Sequence, residues 1–158
     1  MKYSFQLLFV IIIALLAGCQ PKLTESKKEI VKKEVKEQFE KLVNAVNQNN
    51  SDEWAKSYSK DAFVSAIVST EYYGTRAAFV DSITKYFALR DSQHLAPAEV
   101  RVTPLSTSIA LMTSEENTEM VIKGEKSGSK HVFTMIWKKE KEGWKILHSH
   151  ESWTDTKF

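Results

Sequence analysis

The sequence predicts an α+β domain in which about three helices pack on one face of a curved antiparallel sheet. Its first half alternates helical periodicity with short apolar runs, and strand-like segments dominate from about residue 94 onwards. Helices gathered on one face of a sheet allow both kinds of element to bury their apolar sides. No repeat or low-complexity block interrupts the chain after its N-terminal segment, so we expect a single folded domain.

The N-terminal segment, residues 1–18, has the pattern of a signal peptide. Lys2 precedes an apolar run over residues 5–17, and a Leu-Ala-Gly-Cys sequence ends at Cys19. The run is short for a membrane span and has the flanks of a secretory signal. Its end resembles a bacterial lipobox, which implies cleavage before Cys19 and acylation of that residue, palmitate included. The alternative is an ordinary signal peptide or an uncleaved anchor with a chance cysteine.

Residues 19–28 are predicted to be a lipidated cysteine and a tether, and residues 29–158 the folded domain. The tether is polar, contains Pro21 and has no apolar periodicity. Two or more acyl chains hold a protein stably on a bilayer. We therefore expect a lipid-anchored protein of the bacterial cell envelope, on the periplasmic side or the cell surface. Cys19 is the only cysteine, so the domain depends on its core without disulfides.

The charge balance argues against nucleic acid as a partner. The chain has 22 basic and 20 acidic side chains, and loss of Lys2 with the signal leaves a formal charge of +1. A nearly neutral domain has no electrostatic basis for binding nucleic acid. The sequence contains neither a phosphate-binding glycine loop nor a Gly-x-Ser-x-Gly elbow, and we expect no cofactor.

Three segments have helical patterns. Residues 30–47 carry one apolar stripe at steps of three and four residues, and a polar cluster ends it. Residues 52–59 are predicted to form a short helix with Ser51 as its N-cap. Residues 76–89 form the third helix, with Thr75 as its cap.

The remaining segments are predicted strands. They cover residues 62–68, 71–73, 94–105, 106–115, 117–124, 131–138 and 143–153. Pro97 and Pro104 predict that the third of these is an edge strand or a bulged one. A Lys-Ser-Gly-Ser turn is expected at residues 126–129, and a turn at residues 140–143 closes the final hairpin.

Strict alternation along the last strand predicts two faces. One face carries Trp144, Ile146, His148, His150 and Ser152, and the other carries Lys145, Leu147, Ser149, Glu151 and Trp153. His148 and His150 have the spacing of a metal-binding pair, but a third ligand has to come from His94, His131 or a carboxylate. We expect no metal, and we expect these two histidines to cover the outer face of the sheet.

The order of elements and four short stretches resemble the nuclear transport factor 2-like superfamily. The stretches are residues 47–52, 59–62, 74–76 and 143–152. The superfamily includes SnoaL-type polyketide cyclases, ketosteroid isomerases and the association domain of calcium/calmodulin-dependent kinase II. The resemblance implies a cone-shaped sheet with a cavity under the helices, and a homodimer formed through the outer sheet face.

The resemblance also allows individual positions to be compared. Leu42 and Ala66 stand where ketosteroid isomerases carry a tyrosine and an aspartate, so the isomerase mechanism is not expected. Met135 and Glu151 stand where the association domain carries arginines that can hold a carboxylate. A methionine and an acid reverse that electrostatic preference, so a neutral or cationic ligand is expected if there is one.

Glu151 is the candidate catalytic residue, because the resemblance places it in the cavity as a possible general acid or base. An acid in an apolar pocket has its charged form disfavoured. The alternative is a carboxylate paired with a lysine or arginine at the rim of the cone. Trp54 and Tyr58 are read equally well as pocket wall or as ordinary core. The predicted ligand-binding residues are Trp54, Tyr58, Met135, Trp137, Ser149 and Glu151.

Three functions are compatible with this sequence. The preferred one is a non-enzymatic envelope protein that binds a small molecule in the cone or acts as a dimeric binding module. The alternative is a cyclase, dehydratase or isomerase that uses Glu151, with Tyr58 as hydrogen-bond donor. A third is an interaction module that uses a face formed by Val132, Thr134, Ile136 and Ile146. Because this fold hosts many unrelated activities, fold alone does not decide among them.

Overall fold

The computed structural model describes residues 23–156, so the predicted signal peptide, the lipobox and Cys19 lie outside the described residues. Three helices and six strands are present in this range. They are α1 (Glu25–Asn47), α2 (Ser51–Ala55), β1 (Ser65–Val68), β2 (Glu71–Tyr73), α3 (Arg76–Leu89), β3 (Ser92–Pro104), β4 (Ile109–Ile122), β5 (Glu125–Glu140) and β6 (Gly143–Thr156). None of these helices is both long enough and apolar enough to cross a membrane.

The strands form one curved sheet in the order β2-β1-β6-β5-β4-β3. All neighbours are antiparallel except β1 and β6, which run parallel, so the predicted antiparallel sheet is in fact mixed. Directly after α2, the chain runs alongside β6. Tyr58 forms a parallel bridge with Ile146, and the Ser59 N–H donates to the Ile146 carbonyl at 2.9 Å. This early pairing directs β1 along β6 in the same direction.

The helices differ from the prediction mainly at their ends. α1 begins five residues early, because the Thr24 hydroxyl accepts from the Lys27 N–H and caps it; residues 25–28 are therefore helix rather than tether. Asn50, and not Ser51, caps α2 by accepting from the Glu53 N–H. α2 stops at Ala55 because the following residues pair with β6. α3 has the predicted bounds and the predicted Thr75 cap.

Most of the predicted strands are present, but their boundaries change. β3 is the edge strand, with a register shift between Pro97 and Glu99, which confirms the prediction made from its prolines. β4 is one continuous strand rather than two. The hairpin between β4 and β5 turns at Lys123 and Gly124, whose φ angles of 51° and 79° suit a tight two-residue turn. The segment 126–129, predicted as a turn, lies inside β5.

A bulge in β6 overturns the predicted faces of the last strand. Ile136 pairs with His148 and Trp137 pairs with Ile146, so Leu147 is an extra residue with no partner of its own in β5. An inserted residue reverses the alternation of side chains beyond it. The buried side chains of Trp144 and Ile146 therefore lie on the same inner face as those of Ser149 and Glu151, which follow the bulge. Ile146 is consequently not part of the predicted outer interaction face.

The core lies between the helices and the inner face of the sheet. α1 presents its apolar stripe to the sheet, and α2 and α3 contribute aromatic rings at the open end. The rings of Trp54 and Tyr58 are 5.1 Å apart, and Tyr58 meets Phe79 edge to face at 4.9 Å. Large rings packed in this geometry supply much of the apolar burial in a domain of this size. The result is an α+β cone with its interior facing the helices.

Candidate active site

The wide end of the cone contains a cavity of about 710 Å³. Its walls are mostly apolar and come from all three helices and from the inner face of β3 to β6. The apolar lining includes Phe39, Leu42, Val46, Trp54, Phe79, Phe87, Leu95, Phe133 and Met135. A concave, largely apolar cavity of this size with a few polar groups is the usual form of a small-molecule site.

Five of the six predicted ligand-binding residues line this cavity: Trp54, Tyr58, Met135, Ser149 and Glu151. Trp137 does not. Its side chain is fully buried in the core and does not line the cavity, so the structure does not bring it together with the other five predicted residues. Leu42 lines the cavity while Ala66 is buried against Ser149 across the β1–β6 ladder. The two positions used by ketosteroid isomerases thus supply no proton-transfer group here.

Glu151 pairs with a histidine rather than with a lysine or arginine. Its Oε1 lies 2.5 Å from His131 Nδ1, and the two side chains are 21% and 12% exposed. His131 Nε2 lies 2.6 Å from the Ser129 hydroxyl. The imidazole is stacked between the rings of Phe133 and Trp153 at 5.9 Å and 5.6 Å. A carboxylate on Nδ1 stabilises the Nδ1–H tautomer, which leaves Nε2 as the acceptor and proton-accepting atom.

A second carboxyl group, Glu116, lies on the other side of His131. The two residues are directly opposite each other in the β4–β5 ladder. The Ser114 hydroxyl donates to Glu116 Oε1 at 2.7 Å, while Oε2 is buried without a hydrogen-bond partner among the described residues. Burial raises the pKa of Glu116 to about 7, and the nearby Glu151 charge adds to this. A carboxyl group in this environment is partly protonated at neutral pH and is able to donate a proton.

Tyr58 adds a neutral hydroxyl to the same wall. The side chain is 4% exposed, and burial raises the pKa of its phenol well above the ordinary value, an effect that hydrogen bonding to Ser149 opposes. The phenol therefore stays protonated at any physiological pH. It serves as a hydrogen-bond donor rather than as a base.

Arg90, at the end of α3, brings a positive charge that the sequence comparison did not anticipate. It lines the cavity, is 7% exposed, and its guanidinium lies 3.9 Å over the Phe87 ring. Desolvation lowers the pKa of Arg90 to about 10, so the group is still a cation at neutral pH. The arginine positions of the association domain hold Met135 and Glu151, yet a cation reaches the cavity from another element.

The two histidines weighed as metal ligands point away from the cavity. The bulge at Leu147 places His148 and His150 on the face opposite Ser149. His148 Nδ1 is 2.8 Å from the Ser65 hydroxyl, and His150 is exposed. Between residues 23 and 156 no group of three histidine, cysteine or acidic side chains is close enough to hold a metal ion.

The comparisons with known proteins agree with this architecture. The sequence profile of the SnoaL-like domain matches residues 35–156, which is most of the chain. The chain belongs to the SnoaL-like family. No curated protein sequence matches this SnoaL-like chain.

Solved structures place the SnoaL-like domain within the nuclear transport factor 2-like fold. A presumed scytalone dehydratase from Novosphingobium aromaticivorans is 11% identical, with a TM-score of 0.75 over 85% of this chain and 93% of that one. A presumed dehydratase of the nuclear transport factor 2-like family from Streptomyces avermitilis is 17% identical, with a TM-score of 0.71 over 79% and 97%. A presumed calcium/calmodulin-dependent kinase II association domain from Xanthomonas campestris is 20% identical, with a TM-score of 0.66 over 77% and 86%. At these identities the likeness establishes the fold alone.

Sequence reasoning missed four polar residues of this SnoaL-like site. Glu116 fell in the assumed break between two strands, Ser129 in an assumed turn, and Arg90 just beyond a helix end. His131 was weighed only as a metal ligand. Met112, Ser114, Glu116 and Thr118 alternate as buried side chains in the structure, but three of the four are polar, so the sequence shows no apolar alternation that could have revealed Glu116.

Proposed function

We propose that this SnoaL-like protein is anchored at the cell envelope, takes up a small, largely apolar molecule in its cone, and transfers a proton within it. The observation that carries the proposal is the placement of His131 between Glu151 and Glu116 inside an apolar cavity. An imidazole oriented by a carboxylate, with a protonated acid beside it, is the equipment for acid–base catalysis.

The reaction class that suits these groups is an elimination or an enolisation next to a carbonyl. His131 Nε2 takes a proton from carbon, and the Glu151 carboxylate stabilises the imidazolium that forms. Glu116, in its protonated form, gives its proton to the departing hydroxyl, so that a carbon–oxygen bond breaks, a carbon–carbon double bond forms and water leaves. Return of the proton from His131 to Glu116 through that water restores the resting site. The neutral Tyr58 hydroxyl is placed to bond a substrate oxygen.

Two of the similar structures are presumed dehydratases, and dehydration is the reaction just described. This supports the choice of reaction class without assigning a substrate. The residues responsible differ from those of ketosteroid isomerases, because Leu42 and Ala66 occupy the isomerase positions. In our proposal the proton-transfer groups lie on three neighbouring strands instead.

The Ser129–His131–Glu151 chain of hydrogen bonds has the order of a hydrolase triad, but we do not assign Ser129 as a nucleophile. Ser129 lies within β5, paired on one side with Thr118 and on the other with Asp155. The backbone N–H groups around it belong to those two ladders. An oxyanion formed at Ser129 would therefore have no free backbone donors beside it.

One observation favours a second candidate, a dimeric binding module without turnover. The Ser129 hydroxyl occupies Nε2 of His131, which is the atom that a base has to present to its substrate. Val132 is also 45% exposed on the opposite face of the same strand. If the Ser129 hydroxyl stays on Nε2 when a ligand binds, His131 has no free atom to accept a proton. The cavity then holds the ligand without removing a proton from it.

The test uses 5-nitrobenzisoxazole, a small neutral aromatic compound whose ring opens when a positioned base removes one proton. The coloured phenolate product is followed by absorbance. We expect the folded domain to exceed the same concentration of free imidazole by about 100-fold or more, the usual scale for a positioned general base. His131→Gln is expected to remove this acceleration, because glutamine keeps polar contacts but takes up no proton.

His148→Gln is the matched control, since His148 lies on the outer face and its loss leaves the cavity unchanged. Circular dichroism and thermal unfolding establish that each variant is folded. Equal rates for the wild type and folded His131→Gln contradict the enzymatic proposal and favour the binding module.

A further inference from the structure

The guanidinium of Arg90 stacks on two aromatic rings, and its Nε has no hydrogen-bond partner within the described part of the chain. Its central carbon lies 3.9 Å from the centre of the Phe87 ring and 4.9 Å from that of Tyr86. Stacking on a ring face fixes the plane of the group and leaves its N–H edge directed away from the rings. Because Arg90 lines the cavity, that edge is available to a molecule inside the cone.

Three polar atoms in this part of the cavity wall have no hydrogen-bond partner among residues 23–156. They are Arg90 Nε, Gln93 Oε1 and Thr118 Oγ1, and all three are buried. Gln93 lies on β3. Thr118 lies on β4 opposite Leu95, which is the next residue after Gln93 on the same face of β3. All three residues line the cavity. Native structures rarely leave buried polar atoms unpaired, so the two that can donate, Arg90 Nε and Thr118 Oγ1, suggest a site that a hydrogen-bond acceptor on a ligand completes.

The charges around Arg90 favour an anion over a neutral molecule. A buried cation without a paired anion is strongly unfavourable, because its lost hydration is not replaced. Glu151 is engaged with His131, and Glu116 has Ser114 as its partner. Neither acid makes a salt bridge to Arg90 within the described part of the chain. A planar guanidinium matches a carboxylate through two parallel hydrogen bonds.

We infer that the molecule taken up by the cone is a small aromatic or apolar carboxylate, with its carboxylate accepting hydrogen bonds from Arg90 and Thr118. Its apolar body lies against Trp54 and Phe79, in reach of the His131 and Glu116 end of the same cavity. This inference deepens the proposed function by naming the ligand class, and it rests on that function only in using the same cavity. It also replaces the earlier expectation of a neutral or cationic ligand.

The experiment compares two flat probes that differ only in charge, trans-cinnamate and its neutral amide, cinnamamide. Binding to the folded domain is measured by isothermal titration calorimetry or by ligand-observed NMR. We expect the wild type to bind cinnamate about tenfold or more tightly than the amide, the scale of one charged hydrogen-bonded contact. Arg90→Met is expected to remove this preference while changing the affinity for the amide by no more than about twofold.

Arg90→Lys and Thr118→Val guard against a variant that simply fails to fold. Lys keeps the charge without the planar fork, so an intermediate preference for cinnamate is expected. Thr118→Val keeps the volume and removes one donor, which should weaken cinnamate more than the amide. A purely structural role for Arg90 would lower thermal stability without changing the ratio of the two affinities. An unchanged ratio in Arg90→Met, or the absence of cinnamate binding to the wild type, overturns the inference.

The two proposals fail separately. The elimination probe carries no carboxylate, so turnover of 5-nitrobenzisoxazole by the wild type tests the catalytic role without using the anion site. His131→Gln is expected to retain the preference for cinnamate over cinnamamide. A wild type that shows no turnover but prefers cinnamate contradicts only the catalytic role. A wild type that shows turnover but does not prefer cinnamate contradicts only the ligand class.

Discussion

Glu116 and His131 lie directly opposite each other on the neighbouring strands β4 and β5. Side chains opposite each other on one face of an antiparallel pair are separated by about 5 Å at their Cβ atoms. Because Glu151 reaches the same imidazole from β6, three neighbouring strands each contribute one titratable group. The charges of Glu151 and His131 therefore both act on the pKa of Glu116.

Glu116→Gln is expected to make the stability of the fold less dependent on pH. Burial raises the pKa of the folded-state carboxyl from 4.5 to about 7, so the folded protein binds more protons than the unfolded chain between these values. The stability that protonation provides is complete below about pH 4.5 and is lost as pH rises to about 7. The loss is at most about 3 kcal/mol above pH 7. Glutamine keeps an acceptor for Ser114 and carries no charge.

Urea unfolding at several pH values measures this effect. The variant should match the wild type near about pH 4.5 and be the more stable protein near about pH 8.5. Glu119→Gln, an exposed acid three residues further along β4, is the control and should show no such divergence. Parallel pH profiles for Glu116→Gln and the wild type would refute the assignment.

Ser129→Ala is expected to preserve or increase turnover of 5-nitrobenzisoxazole. The Ser129 hydroxyl occupies His131 Nε2 at 2.6 Å, and its removal frees that atom for the substrate. The rate is expected to increase by up to about tenfold, because the substrate no longer has to displace one hydrogen bond to reach His131 Nε2. Initial rates at fixed pH measure it, and Ser127→Ala, at an exposed cavity residue on the same strand, is the matched control. A drop of more than about tenfold would instead mean that Ser129 relays the proton.

Trp137→Phe is expected to lower stability without changing the cavity. Trp137 is fully buried and lies outside the cavity wall, so a smaller ring leaves a gap in the core and costs about 1–3 kcal/mol. Trp54→Phe, the matched change on the cavity side, is expected to alter the affinity for cinnamamide. Thermal unfolding and calorimetry on both variants separate the two roles. A change in cinnamamide affinity for Trp137→Phe alone would restore Trp137 as a ligand contact.

Val132→Glu is expected to prevent the homodimer that we propose for the outer sheet face. Val132 is 45% exposed on that face, and two glutamates brought together across a symmetric interface would repel and be desolvated. Sedimentation velocity gives the oligomeric state. Val64→Glu, at an apolar residue of 61% exposure before β1, is the control and should not change it. A wild-type domain that sediments as a monomer over the whole concentration series rules the proposed dimer out.

Cys19→Ser is expected to release the protein from the membrane. The lipobox-like sequence predicts that acyl chains are attached at Cys19, and serine provides no thiol for them. Labelled palmitate incorporation and partition into a detergent phase measure the effect in cells. Gln20→Ser is the control, because it leaves the cysteine in place. Membrane partition of Cys19→Ser equal to that of the wild type argues for an uncleaved anchor instead.

The class of the fold and most of its elements could be predicted from the sequence. Local signals carried that information: the α1 stripe, the Thr75 cap that begins α3, and the prolines that make β3 an edge strand. These depend on residues close together in the chain, whose periodicity and capping are decided within a few positions. The resemblance of the last strand to the family also rests on residues close together in the chain, and it predicted the SnoaL-like cone.

The arrangement of the site depends on contacts between residues that are far apart in the chain. The bulge at Leu147 places Trp144 and Ser149 on one face, and local periodicity contains no signal for where a bulge falls. Glu116, His131 and Glu151 come together because three strands pair in one register, although up to 35 positions separate them. Burial in the packed domain then raises the pKa of Glu116, and Arg90 Nε has no hydrogen-bond partner among residues 23–156. Desolvation and pairing of this kind depend on the whole packed domain, so no stretch of sequence specifies them alone.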